Sequence, residues 1–68
     1  MKLSARNKLA GTVSEVHRGE AIANVAIDVS GTRVVASITV EAVEELGLTE
    51  GSKVTAIVKA SDVILAIE

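Results

Sequence analysis

Ala21-Ile22-Ala23-Asn24-Val25-Ala26-Ile27-Asp28-Val29 decides the fold. Ala21, Ala23, Val25, Ile27 and Val29 fall on one face of an extended chain, with Asn24 and Asp28 on the other. This period of two predicts a half-buried strand, since successive side chains of a strand point to opposite faces. Ser30-Gly31 follows, and its glycine supports a tight hairpin into a second strand, Arg33 to Thr39. Upstream, Lys8 to Val16 reads as another strand, with Gly11 a candidate bulge or close backbone approach.

After Thr39 the period changes. Val40, Val43 and Leu46 are spaced by three, Thr39 is suited to the N-cap and Gly47 to the left-handed C-terminal position. The segment Val40 to Leu46 is therefore expected to form about two turns of helix. Two further strands are expected, Lys53 to Lys59 and Val63 to Ile67, joined by Ala60-Ser61-Asp62. Five short strands with one helix after the third predict an all-β fold. The expected architecture is a small five-stranded Greek-key barrel of the oligonucleotide/oligosaccharide-binding kind. No linker or internal repeat divides the chain, so residues 1–68 are read as a single domain.

Composition limits what such a domain can do. A chain of 68 residues buries only about 60% of the surface it exposes when unfolded, so its own core is marginal. It has no cysteine for disulfides or thiolate metal sites, and one histidine does not make a zinc site. Apolar residues are 49% of the chain with no Phe, Trp or Tyr among them, so the core rests on small aliphatic contacts. Self-association is the simplest way to cover the apolar surplus.

The net charge is −2, from seven Lys and Arg against nine Asp and Glu. That balance, with no aromatic ring to stack on a base, argues against nucleic-acid binding. No apolar run approaches 18 residues, and MKLSARNKLAG lacks a hydrophobic signal core, so no membrane partner and a cytoplasmic location are expected.

Catalysis finds little support. His17, the only base of the triad type, sits next to a turn glycine and reads as a solvated histidine. Glu41, Glu44 and Glu45 read as the solvated face of the helix. Two polar clusters remain. Ser4-Ala5-Arg6-Asn7 precedes the first strand, and Lys59-Ala60-Ser61-Asp62 joins the last two. Each puts a cation, a hydroxyl and successive backbone N–H groups within four residues, a mixture suited to a tetrahedral dianion. Such clusters are also common in termini and hairpin turns.

The first of them opens Ser-Ala-Arg-Asn-Lys-Leu-Ala-Gly-Thr-Val at 4–13, which resembles the opening S-A-R-N-x-L-x-G-x-V of the Mop domain. The similarity continues through Val-Ala-Ser-Ile-Thr at 35–39 and Leu-Gly-Leu-Thr-Glu-Gly-Ser-Lys-Val at 46–54. It ends in Ala-Ile-Val-Lys-Ala-Ser-Asp-Val at 56–63. The chain is thus identified as a member of the molbindin (Mop) family, over essentially its whole length.

The resemblance implies a five-stranded barrel assembled into a homohexamer, a trimer of dimers. It implies binding of molybdate or tungstate between subunits for storage or buffering, without an organic cofactor. By position, Ser4, Ala5, Arg6 and Asn7 form one wall of an oxyanion site, and Lys59, Ala60 and Ser61 another, expected from a neighbouring subunit. Thr39 stands where related domains supply a hydroxyl, and His17 and Arg18 are candidates for a second class of site near the symmetry axes. Ala42 departs from relatives that carry Ser nearby. Two other readings remain open: a regulatory or structural Mop-type module acting with a larger partner, and a nucleic-acid-binding barrel. The span from Met1 to Glu68 favours the independent protein.

Overall fold

Strand β2, Ile22–Val29, lies inside the sheet of a computed structural model that describes residues 2–68. It pairs antiparallel on one side with β1, Asn7–Arg18, and on the other with β3, Thr32–Thr39. The expected alternation is present: Ala23, Val25 and Ile27 are buried while Asn24 and Asp28 are exposed. The β2–β3 hairpin turns on Ser30 and Gly31, whose φ values of 50° and 88° are both positive. A two-residue turn of that hand matches the right-handed twist of the strands. The Gly31 N–H also donates to Asp28 Oδ1 at 3.0 Å.

The helix α1 occupies Val40–Leu46, as its spacing predicts. Thr39 caps it by accepting a hydrogen bond from the Ala42 N–H at 3.0 Å. At the other end Gly47, at φ 63°, donates to Glu44 O, and Leu48 donates to Val43 O, each at 3.1 Å. This left-handed double closure satisfies carbonyls that the helix leaves open. Val43, fully buried, seals the core with Val13, Ala23, Val25 and Ile27.

The chain then returns to β4, Lys53–Val58, which pairs antiparallel with β1. The sheet order is therefore β3-β2-β1-β4, a Greek-key arrangement in which the fourth strand lies beside the first. Strand β1 serves both neighbours because a bulge bends it. Val13 pairs with Ile27 and Glu15 with Ala26, so Ser14 is the extra residue. The insertion lets Val13 and Val16, three residues apart, both pack with the core, and the Ser14 hydroxyl donates to Ala26 O at 3.2 Å. Of the two roles expected for Gly11, close approach is the one realised. A Cβ there would lie 2.7 Å from Asp28 O and 3.0 Å from Val29 Cγ2.

One expectation is corrected. Four strands form among the described residues, not five. Residues 60–62 make a short 3-10 turn, and Val63 to Ile67 pair with nothing in their own chain. The edges β3 and β4 are not joined, so the single chain does not close a barrel. The apolar run at 63–67 reads as a strand, but a strand needs a partner, and this run pairs with neither free edge of its own sheet. Ile64, Leu65 and Ile67 are 92%, 88% and 97% exposed.

The close approach at Gly11 is testable. Gly11→Ala is expected to cost about 1–3 kcal/mol, because backbone atoms of β2 must move to admit the methyl group. Thermal unfolding at fixed protein concentration, followed by circular dichroism, reads this as a Tm lower by about 4–8 °C per kcal/mol.

Candidate functional site

The first cluster ends where β1 begins, and the second starts where β4 ends. In the antiparallel ladder Asn7 pairs with Val58, and Asn7 Nδ2 donates to Val58 O at 3.0 Å. One residue further out stand Arg6 on one strand and Lys59 on the other. Residues more than 50 positions apart thus meet at one end of the sheet, within a single chain. The sequence reading expected the second wall from a neighbouring subunit.

The chemistry of this end suits an anion. Ser4, Arg6, Lys59, Ala60 and Ser61 are exposed, and Ala5 and Asn7 are half-buried. The turn at 60–62 is closed by Asp62 N–H to Lys59 O at 2.9 Å and Val63 N–H to Ala60 O at 3.3 Å. The N–H groups of Ala60 and Ser61 precede those bonds and take no part in them, which leaves successive donors at the start of the turn. Among the described residues the one ion pair is Arg33 with Glu15, at 3.1 Å, so neither Arg6 nor Lys59 is matched with a carboxylate. The side chain of Asn7 is committed to the ladder and orders the strand ends.

Thr39 is elsewhere. It pairs with Ile22, beside the Arg18 end of β1, whereas the two clusters lie at the Asn7 end. Its Oγ1 accepts the cap bond of α1, although its proton is still available to donate. His17 and Arg18 share that far end, opposite Asn24 and Ala23.

Two depressions mark the surface. A shallow polar one of about 210 Å³ on the outer sheet face gathers Glu15, His17, Asn24 and Arg33, and beside it Ser37 donates to Asn24 Oδ1 at 2.9 Å. The sequence reading singled out only His17 of these, because cross-strand neighbours emerge only once the register is known. The other, about 370 Å³ and mostly apolar, runs between β3 and β4. Its lining is aliphatic apart from Lys53 and Thr55, and it includes no residue of the two clusters. No group of acidic or histidine side chains able to hold a metal ion occurs among the described residues.

A family model described as the TOBE domain matches residues 3–65. Molybdenum-pterin-binding protein 2 of Clostridium pasteurianum is 39% identical over 66 residues, covering 96% of this chain and 97% of its own. A molybdate-binding protein from Sporomusa ovata, solved at high resolution, superimposes with a TM-score of 0.94 at 45% identity, covering 98% of this chain and all of that one. The cytoplasmic molybdate-binding protein ModG, solved with molybdate bound, gives a TM-score of 0.95 at 43% identity. There the match covers all of this chain and 49% of ModG.

If Asn7 orders the meeting point of the two clusters, Asn7→Ala should loosen that end first. Losing one hydrogen bond of about 0.5–1.5 kcal/mol predicts roughly two- to tenfold faster amide exchange at Ala56–Val58. The β2–β3 hairpin is expected to keep its protection. An equal change across the sheet would show that Asn7 acts only on global stability.

Proposed function

The chain belongs to the TOBE domain family, in its molybdate-binding Mop branch, and from that premise we propose that it holds molybdate or tungstate at the Asn7 end of the β1–β4 ladder. One observation supports this reading: the pairing of Asn7 with Val58 sets the end of Ser4-Ala5-Arg6-Asn7 beside the residue that precedes Lys59-Ala60-Ser61. The hydroxyls of Ser4 and Ser61 and the N–H groups of Ala5, Ala60 and Ser61 donate to oxyanion oxygens. Arg6 and Lys59 offset the charge, Arg6 through a directional fork and Lys59 as a point charge. The task is binding and not catalysis, with the oxyanion itself as the ligand, no organic cofactor, and storage or buffering in the cytoplasm as the role.

The working form we propose is a homohexamer, a trimer of dimers. Copies meeting at this end of the sheet exclude water from the anion, which strengthens each hydrogen bond to it. Thr39, remote within one chain, contributes its hydroxyl only if a neighbouring copy brings it there. Light scattering coupled to size exclusion is expected to give about six times the 7.0 kDa chain mass. A stable monomer at micromolar concentration would refute the assembly.

Calorimetry tests the site. Molybdate and tungstate should bind, and sulfate, a smaller tetrahedron, should compete weakly. Ser4→Ala removes a hydrogen bond to a charged group, about 1.5–3 kcal/mol, so affinity should fall roughly tenfold to a hundredfold. Lys59→Ala should cost at least as much, since the remaining donors then face an uncompensated charge. Arg6→Lys keeps the charge and loses the fork, so a large loss marks directional contact. Glu45→Ala, on the exposed helix face, is the control. If Ser4→Ala and Lys59→Ala both bind like the parent and stay assembled, the site lies elsewhere.

A further inference from the structure

Asp62 is the one acidic residue in either polar cluster, and the oxyanion reading gives it no task. It ends the turn that Lys59 begins, and its N–H donates to Lys59 O at 2.9 Å. A turn closed in this way holds its first and last Cα atoms within about 7 Å of each other. Between them stand the N–H groups of Ala60 and Ser61, which take no part in closing it. The Asp62 side chain is exposed, and among the described residues the one ion pair is Arg33 with Glu15. A carboxylate without a cation is thus fixed to the same short turn as the donors assigned to the anion.

Molybdate and tungstate are dianions. Arg6 and Lys59 offset two negative charges, and Asp62 returns one of them. We propose that Asp62 is a specificity-determining residue of this site, a like charge that keeps affinity for a dianion below what the donors alone would give. Repulsion grows in proportion to the charge of the bound anion. A dianion therefore loses twice the free energy that a monoanion of the same shape loses. Hydroxyls and turn amides select by shape, and Asp62 selects by charge. The inference rests on the oxyanion reading above and names the element that limits its affinity. A buffer has to release its ligand as the free concentration falls, and a site weakened by a built-in repulsion does so sooner.

Calorimetry on the full chain compares molybdate with perrhenate, a tetrahedral monoanion of nearly the same size. Asp62→Asn keeps the outline of the side chain and removes its charge. Molybdate affinity is expected to rise roughly threefold to thirtyfold at low salt, for one exposed charge about 8 Å from a dianion in water-like surroundings. Perrhenate affinity, read by competition with molybdate, should rise by only about the square root of that factor. Asp62→Glu keeps the charge and should bind like the parent. Added salt should shrink the molybdate gain, because the screening length falls from about 10 Å at 0.1 M to about 3 Å at 1 M. Unchanged or lower molybdate affinity in Asp62→Asn would overturn the proposal. So would a gain that is equal for the two anions or indifferent to salt, since either marks a change of turn shape. Where perrhenate binds too weakly to compete, the salt series decides, and Asp62→Ser replaces Asp62→Asn should the latter not fold by circular dichroism. Lys59→Ala in the same titration separates two failures. Affinity lost there with none gained in Asp62→Asn sinks this inference and leaves the oxyanion reading standing, whereas no change in either variant sinks both.

Discussion

Strand β1 is hydrogen-bonded along both sides, and the rest of the structure depends on that double pairing. From Thr12 to Arg18 it holds β2, from Asn7 to Thr12 it holds β4, and the two ladders meet at Thr12. A straight strand pairing so differently along its length would turn the wrong face to the core in one half. The bulge at Ser14 resolves this by shifting the side-chain phase by one residue. Gly11, just before it, has no Cβ to obstruct the close approach of β2. With β1 bent in this way, one end of β4 reaches the segment before β1, and the two polar clusters share an edge.

Local chemistry was readable in the sequence because local rules produced it. Period two at 21–29, a glycine turn at 31, and spacing by three between a threonine cap and Gly47 each specify structure within a few residues. The helix matched its expected bounds for that reason. The bulge lies three residues from where glycine drew attention: residue 11 was the candidate, while the extra residue is Ser14, which carries no bulge signal of its own. The polar clusters were visible as donor-rich turns, but their meeting rests on a contact between residues 7 and 58 that no local pattern encodes. The family resemblance supplied the candidate residues, and the ladder sets Asn7 of the first cluster beside Val58, the residue before Lys59. Thr39 shows the converse, since its position in the sequence motif says nothing of its distance from the clusters within one chain.

The exposed segment 63–67 weighs heavily in a chain of this aliphatic composition. Fully burying a large aliphatic side chain contributes about 1.5–3 kcal/mol, and Ile64, Leu65 and Ile67 are almost wholly exposed. A core of this size rarely supplies more than about 3–5 kcal/mol. The stabilisation these three side chains leave unrealised is thus as large as what the single chain can provide. Without aromatic rings there is no substitute anchor. The sequence reading took the apolar run at 63–67 for a strand of the same sheet, where it pairs with nothing, because an apolar run does not say whether a partner edge lies within its reach.

This arrangement bears on the ligand as well as on stability. Lys59, Ala60 and Ser61 stand between β4, fixed in the sheet, and the segment 63–67, which is free in the single chain. In the homohexamer proposed above, any contact that docks that segment would fix both ends of the turn and so the directions of its N–H donors. An anion that binds best to the fixed turn must then favour the docked state by the same free energy with which docking favours the anion, since linkage between two equilibria is reciprocal. The size of the effect is bounded by the difference in anion affinity between docked and free turns, whatever the total affinity. A surface arginine or lysine alone gives no such difference, as it binds an anion much the same in either state. The turn amides do, because their donor geometry is what docking changes. In this protein the backbone of residues 59–61, more than its cations, is where anion capture and assembly would meet.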